Sequence, residues 1–252
     1  MTKVLYVGLV LALCACSEPQ PADHEVRATV PVEHITATKD QQARRAQSEA
    51  YCKAHGIPVY KNPNALFVDS EAEVRLRTKD QVVDRALALC FIGLKSEGLP
   101  PERLAEIEKA YHISPLLTPV EREYVTAAHP TDQQRLNANW RYEGLHVLLW
   151  ALGYVDALAY PDAMCNVAHD AAIIHDLSAA QFRQRATLRS KKELLDQADL
   201  ILRLAWACDE ARLAKRPMPG NLNSEIIMER HHALNWLITY MDQAWDDVST
   251  DT

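Results

Sequence analysis

The sequence predicts an all-α protein: a single-domain bundle of about seven or eight helices preceded by a disordered tether. Three observations predict it. A Ser or Thr followed three residues on by Glu or Gln recurs along the chain, the pattern that starts helices. Apolar residues between these starts repeat with helical spacing. Only 7 glycines occur, and no Asn-Gly or Asp-Gly is present to turn a hairpin.

Residues 1–15 read as an export signal. Lys3 precedes an apolar run from Val4 to Leu13, too short to cross a hydrocarbon core roughly 30 Å thick, and Ser17-Glu18-Pro19-Gln20-Pro21 ends it. Leu13-Cys14-Ala15-Cys16 resembles the bacterial lipobox. That resemblance implies a lipoprotein signal peptide removed before Cys16 and acyl chains on the Cys16 sulfur, plain secretion with cleavage near Ala15 being the rival reading. At about 0.8 kcal/mol per buried methylene, two or three acyl chains hold a protein on a membrane and one does not. Ser17, in place of Asp, fits delivery to the periplasmic face of the outer membrane, so the expected location is the cell envelope.

Residues 16–37 are polar, contain Pro19, Pro21 and Pro31, and show no period, so they read as a flexible tether. As a coil they would span roughly 25 Å on average.

Residues 38–252 read as the helical domain. Helices are expected after Thr38-x-x-Gln41, Thr78-x-x-Gln81, Thr118-Pro119-x-Glu121, Thr131-x-x-Gln134 and Ser190-x-x-Glu193. Stops are expected at Gly56 and Pro58, at Gly98-Leu99-Pro100-Pro101, at His129-Pro130 and at Lys215-Arg216-Pro217. Val82, Val83, Ala86, Leu87, Cys90 and Leu94 form one stripe, and Leu194, Leu195, Ala198, Ile201, Leu202 and Ala205 another. Residues 145–155 are apolar on nearly every side, which places that helix centrally. Ala65-Leu66-Phe67-Val68 is the one plausible short strand, and Tyr60-Lys61-Asn62-Pro63 a plain loop.

Removing the leader takes Lys3 with it and moves the formal charge from −7 to −8. With no Lys/Arg-rich stripe, this balance argues against a nucleic-acid partner and against a polybasic grip on lipid. The membrane contact is left to the acyl chains on Cys16, with an envelope protein as a further partner. Cys52, Cys90, Cys165 and Cys208 would face an oxidising compartment, so their pairing stays open. Cys90 and Cys208 sit in apolar helical runs and read as small buried hydrophobes, and no C-x-x-C suggests a zinc ribbon or redox motif.

The C-terminal half carries all five tryptophans. The segments Trp140-Arg141-Tyr142-Glu143-Gly144-Leu145, Trp206-Ala207-Cys208-Asp209-Glu210-Ala211-Arg212-Leu213, Glu229-Arg230-His231-His232-Ala233-Leu234-Asn235-Trp236-Leu237 and the closing Trp245-Asp246-Asp247 stand out. Together with Arg75-Leu76-Arg77-Thr78, Arg85-Ala86-Leu87-Ala88-Leu89 and Leu188-Arg189-Ser190-Lys191-Lys192-Glu193, they resemble the bacterial domain of unknown function 4272 over roughly residues 47–252. The resemblance implies no activity, cofactor or substrate. The lipobox departs from members that look like unexported proteins.

On a helix starting near Ser224, Arg230 falls in line with Ala233, Leu234, Leu237 and Met241, an apolar face where a guanidinium must be paired. Arg141 falls in line with Leu145, Leu148, Leu149 and Leu152. Glu143, Asp209, Asp246 and Asp247 are the partners composition suggests. With Arg212, Asn235 and Trp236 these residues read as a binding or structural network, its indoles bonded to carboxylates, that fixes helix register and pins the C-terminus. The sharper reading makes Glu229 and His232, three apart on one helical face, an acid–base pair with Arg230 or Arg141 holding a substrate anion. His231, His232, Glu229 and Asp246 have metal-ligand chemistry, but adjacent histidines point about 100° apart on a helix, so no metal and no cofactor is assigned. His146 and His112 read as packed or exposed singles. No G-x-S-x-G, H-E-x-x-H, phosphate loop or EF-hand spacing occurs. The expected role is binding or structural rather than enzymatic, with a hydrolase or other acid–base enzyme using Glu229 and His232 as the alternative.

Overall fold

The computed structural model describes residues 36–63 and 66–252. The signal peptide, Cys16 and the tether as far as residue 35 lie outside the described residues. Among the described residues the regular structure is entirely helical: α1 Lys39–Ala54, α2 Lys79–Ser96, α3 Pro101–Tyr111, α4 Pro119–Thr126, α5 Asp132–Ala151, α6 Val167–His175, α7 Ala179–Arg185, α8 Lys191–Leu213 and α9 Ser224–Leu237, with short 3-10 turns between and after them. None of these helices is long and apolar enough to cross a membrane.

The local chemistry accounts for the starts. Capping boxes form at Thr38, Thr78, Thr118, Thr131 and Ser190, where the sequence places them. A sixth, Ser178 with Gln181, opens α7, and the Asn166 and Asn223 side chains cap α6 and α9. The two short helices α6 and α7 raise the number above the expected seven or eight. The stops hold as well, with α1 and α2 ending just before Gly56 (φ 69°) and Gly98 (φ 80°), a left-handed conformation that glycine adopts without a Cβ penalty.

Two local expectations are corrected. Leu66, at the expected strand, has φ 61° and its carbonyl accepts a hydrogen bond from Arg203 Nη2; residues 66–68 form no strand, and Ala65 lies outside the described residues. The central helix stops at Ala151, and Val155 lies beyond the turn at Gly153 (φ 79°).

The helices pack in the order α1, α8, α9, α5, α2, with α3, α4, α6 and α7 against α2 and α6 also against α5. The core is the Leu, Ile, Val and Ala of α2, α5, α8 and α9, and every residue from Tyr142 to Leu152 is buried. Cys52, Cys90, Cys165 and Cys208 are all free, and burial pushes the thiols of Cys52 and Cys208 up to about 11 and that of Cys90 up to about 12. The plain loop at residues 60–63 is stapled: Arg45 of α1 donates to the carbonyls of Tyr60, Asn62 and Pro63 at 3.2, 2.9 and 3.2 Å.

α2 and α5 form the most extensive helix pair, and their close approach depends on Gly93. A Cβ there would lie 2.4 Å from Cζ of Tyr142, whose side chain is 0% exposed. Gly93→Ala is expected to destabilise by about 1–3 kcal/mol, since overpacking outweighs the gain in helix propensity. An unchanged urea midpoint would contradict this contact.

Candidate functional site

α5 and α9 lie side by side and bring together the charged residues singled out above. Arg230, 3% exposed, donates from Nε to Glu143 Oε2 at 2.9 Å and from Nη1 to the Ala159 carbonyl at 2.6 Å. Glu143, 0% exposed, accepts on its other oxygen from the Cys165 backbone N–H at 2.6 Å. Arg141, only partly buried, donates from Nη1 to both oxygens of Glu229 at 3.2 and 2.9 Å. The two arginines on one pair of helices are thus each bonded to a carboxylate of the other.

The C-terminal segment closes over this region. Asn235 Nδ2 donates to the Ser249 carbonyl at 2.8 Å. Trp245 is buried, with Trp236 at 5.4 Å, His232 at 4.6 Å and the Arg85 guanidinium at 5.2 Å from its ring. Arg77 lies over Trp236 and donates to the Trp236 and Gln243 carbonyls at 3.1 and 2.5 Å. Indoles here meet guanidinium faces, and among the described residues none bonds a carboxylate, which corrects that part of the expected network. Met241 is corrected too: α9 ends at Leu237, the chain turns through positive φ at Thr239, and Met241 is 68% exposed.

The remaining residues sit at the surface. Asp209 pairs with Arg212 at 3.0 Å three residues on and accepts from the Thr252 hydroxyl, an exposed arrangement worth little. Asp246 and Asp247 are exposed, and Asp246 Oδ2 lies 3.4 Å from the Val120 N–H.

Sequence reasoning missed three buried charge pairs, two of them because the partners are far along the chain. Arg85 of α2 meets Glu121 at 2.5 Å, the same Glu121 oxygen that completes the α4 capping box. His146 Nδ1 lies 2.8 Å from Asp170 Oδ2, with Cys165 beside them. Asp199 and Arg203, almost fully buried on α8, pair at 2.8 Å, and their four-residue spacing beside the apolar stripe was the available signal.

Glu229 and His232 diverge. Burial raises the Glu229 carboxyl while Arg141 pulls it down, and His232 turns its ring to Trp245. Neither lines the pocket of about 170 Å³ that opens beside them between α4, α5 and the C-terminal segment. Its apolar wall is Ile92, Val120, Tyr124, Ala138 and Trp245, and its polar lining includes Glu121, Glu123, Arg141 and Asp246. Glu121 is neutralised by Arg85, and Arg141 by Glu229. Glu123 and Asp246 have no ion-pair partner among the described residues, so the pocket carries net negative charge. Cys165 is a poor nucleophile: burial first, then the carboxylates of Glu143 and Asp170, push its thiol well above the usual range.

The adjacent histidines set the response to acid. Burial holds His231 down at about 4 against the pull of Asp209 and Asp251, and burial and Arg141 hold His232 at about 4 against the Trp245 backbone and Asp246. Both are lowered from 6.5, so the unfolded chain takes up their protons first, and stability falls as pH drops from about 6.5 to about 4. For His231 alone the loss approaches about 3 kcal/mol at saturation. Glu229, with a raised pKa, is relieved by protonation and offsets part of it. Urea midpoints measured across this window should be level above it and decline within it; a flat or rising profile would contradict the burial of these rings.

Fold and site together define an all-α domain whose helices are tied by buried ion pairs beside an acidic, apolar-walled pocket. The chain belongs to the family described as domain of unknown function (DUF4272), whose model matches residues 44–248. No curated protein and no solved structure matches it.

Proposed function

We propose that this protein is a lipid-anchored binding protein of the cell envelope, held through acyl chains on Cys16 at the periplasmic face of the outer membrane, whose helical domain takes an amphipathic cation. The ligand is a free amine or the Lys or Arg side chain of an envelope protein partner. Support for the anchor is the Leu13-Cys14-Ala15-Cys16 motif. The observation that carries the binding role is the pair of unpaired carboxylates, Glu123 and Asp246, at a pocket whose walls include Trp245, Tyr124 and the 62% exposed Val120. Two carboxylates that no cation neutralises attract an ammonium or guanidinium even at the surface, and the apolar body of the ligand needs a wall; this pocket offers both. Acid–base catalysis by Glu229 and His232 is not favoured, because Arg141 engages both Glu229 oxygens and His232 packs on Trp245.

Thermal shift and calorimetry with benzamidine, phenethylamine and agmatine, against phenylacetate as the matched anion, test the binding role. A ligand at a hundred times its Kd raises stability by about 2.7 kcal/mol. Stabilisation by the cations, lost in Glu123→Gln/Asp246→Asn, is expected; a response to phenylacetate instead, or to none of them, contradicts the proposal. Mass spectrometry of the protein from membranes tests the anchor. Acyl chains on Cys16 are expected, and an unmodified Cys16 thiol or an intact leader would contradict it.

A further inference from the structure

We propose that His146, Cys165 and Asp170 form a binding site for a divalent transition metal of the zinc class. One ligand-type atom from each, the Cys165 sulfur, a His146 ring nitrogen and an Asp170 carboxylate oxygen, lies within 4.8 Å of the other two. Around a tetrahedral zinc, with metal–sulfur about 2.3 Å and metal–nitrogen or –oxygen about 2.0–2.2 Å, such atoms lie about 3–4 Å apart. Small side-chain rotations therefore close the set on an ion.

Three features favour a metal over a plain His–Asp pair. Asp170 is 0% exposed, and while Oδ2 faces His146 Nδ1 at 2.8 Å, Oδ1 has no hydrogen-bond partner. A buried carboxylate oxygen left bare is costly, and a cation would satisfy it. Second, the charges cancel: a divalent ion, a thiolate, a carboxylate and a neutral imidazole sum to zero, so the filled site carries no net buried charge. Third, the cluster has outer support. Glu143, fixed by Arg230, accepts from the Cys165 backbone N–H at 2.6 Å, and Asn166 caps the helix that carries Asp170. Such outer bonds orient metal ligands. Cys165, only partly buried, is the most exposed of the three. A sulfur ligand excludes magnesium and calcium and selects zinc or its neighbours.

The test uses the full chain in detergent, stripped with EDTA and titrated with Co²⁺ alone. A thiolate-to-cobalt charge-transfer band saturating at one equivalent and displaced by Zn²⁺ is expected. It should vanish in Cys165→Ser, and Asp170→Asn should weaken Zn²⁺ binding at least about tenfold. Since either substitution can disturb a buried cluster, iodoacetamide labelling of the unsubstituted protein, mapped by mass spectrometry, provides a second reading. Zn²⁺ should slow modification of Cys165 more than that of Cys52, Cys90 and Cys208. A missing band, a band that persists in Cys165→Ser, or Cys165 labelling indifferent to Zn²⁺ would overturn the site.

Discussion

Arg230→Met is expected to destabilise the domain by about 3–5 kcal/mol, the usual effect of removing one partner of a buried ion pair. The methionine fills much of the space, so the loss is electrostatic. Glu143, 0% exposed, would be left charged with only the Cys165 N–H to satisfy it, and the Ala159 carbonyl would lose its donor. For a domain of this size each kcal/mol lowers Tm by about 2–4 °C. Arg212→Met is the matched control. Its partner Asp209 is exposed at the helix surface, and the change should stay within about 0.5 kcal/mol. Equal effects of the two substitutions would contradict the burial of the Arg230 pair.

Trp245→Ala should cost a similar amount, about 3–5 kcal/mol for a buried tryptophan. The ring is 5% exposed, meets Trp236 and His232 edge-on, lies under the Arg85 guanidinium and approaches the α5 backbone at Gly144. Removing it opens a cavity and exposes the Arg85–Glu121 pair to water. Asp246→Asn and Asp247→Asn, in the same three-residue motif but exposed, should change the unfolding free energy measured in urea by no more than about 0.5 kcal/mol. Measuring the three variants side by side separates the two roles of the motif: the tryptophan holds the chain end, and Asp246 faces the pocket. A mild Trp245→Ala would mean the terminal segment is not docked.

What was legible in the sequence is what lies within a few residues. Thr78 and Gln81, or Ser190 and Glu193, close a capping box within four positions, so the helix starts could be read directly. The apolar stripes likewise identify α2 and α8 as core helices. Partner choice was not legible, because it is made between helices: Arg141 and Glu229 are 88 positions apart, and Arg230 and Glu143 are 87 apart. Glu229 therefore read as a neighbour of His232, three residues on, when the fold turns it to α5. The irregular residues 66–68 escaped for a related reason. Their apolar and β-branched side chains suit a strand, but the Leu66 carbonyl is claimed by Arg203 from a distant helix. The His146, Cys165 and Asp170 group was invisible for lack of any ligand spacing, its members coming from α5, the following loop and α6.

The α5–α9 charges serve each other rather than a substrate. A double-mutant cycle on Arg230→Met and Glu143→Met, read by urea denaturation, tests it most directly. Each single change should be strongly destabilising, and the double variant should recover much of the loss, because no charge is then left stranded. Effects that simply add would contradict it.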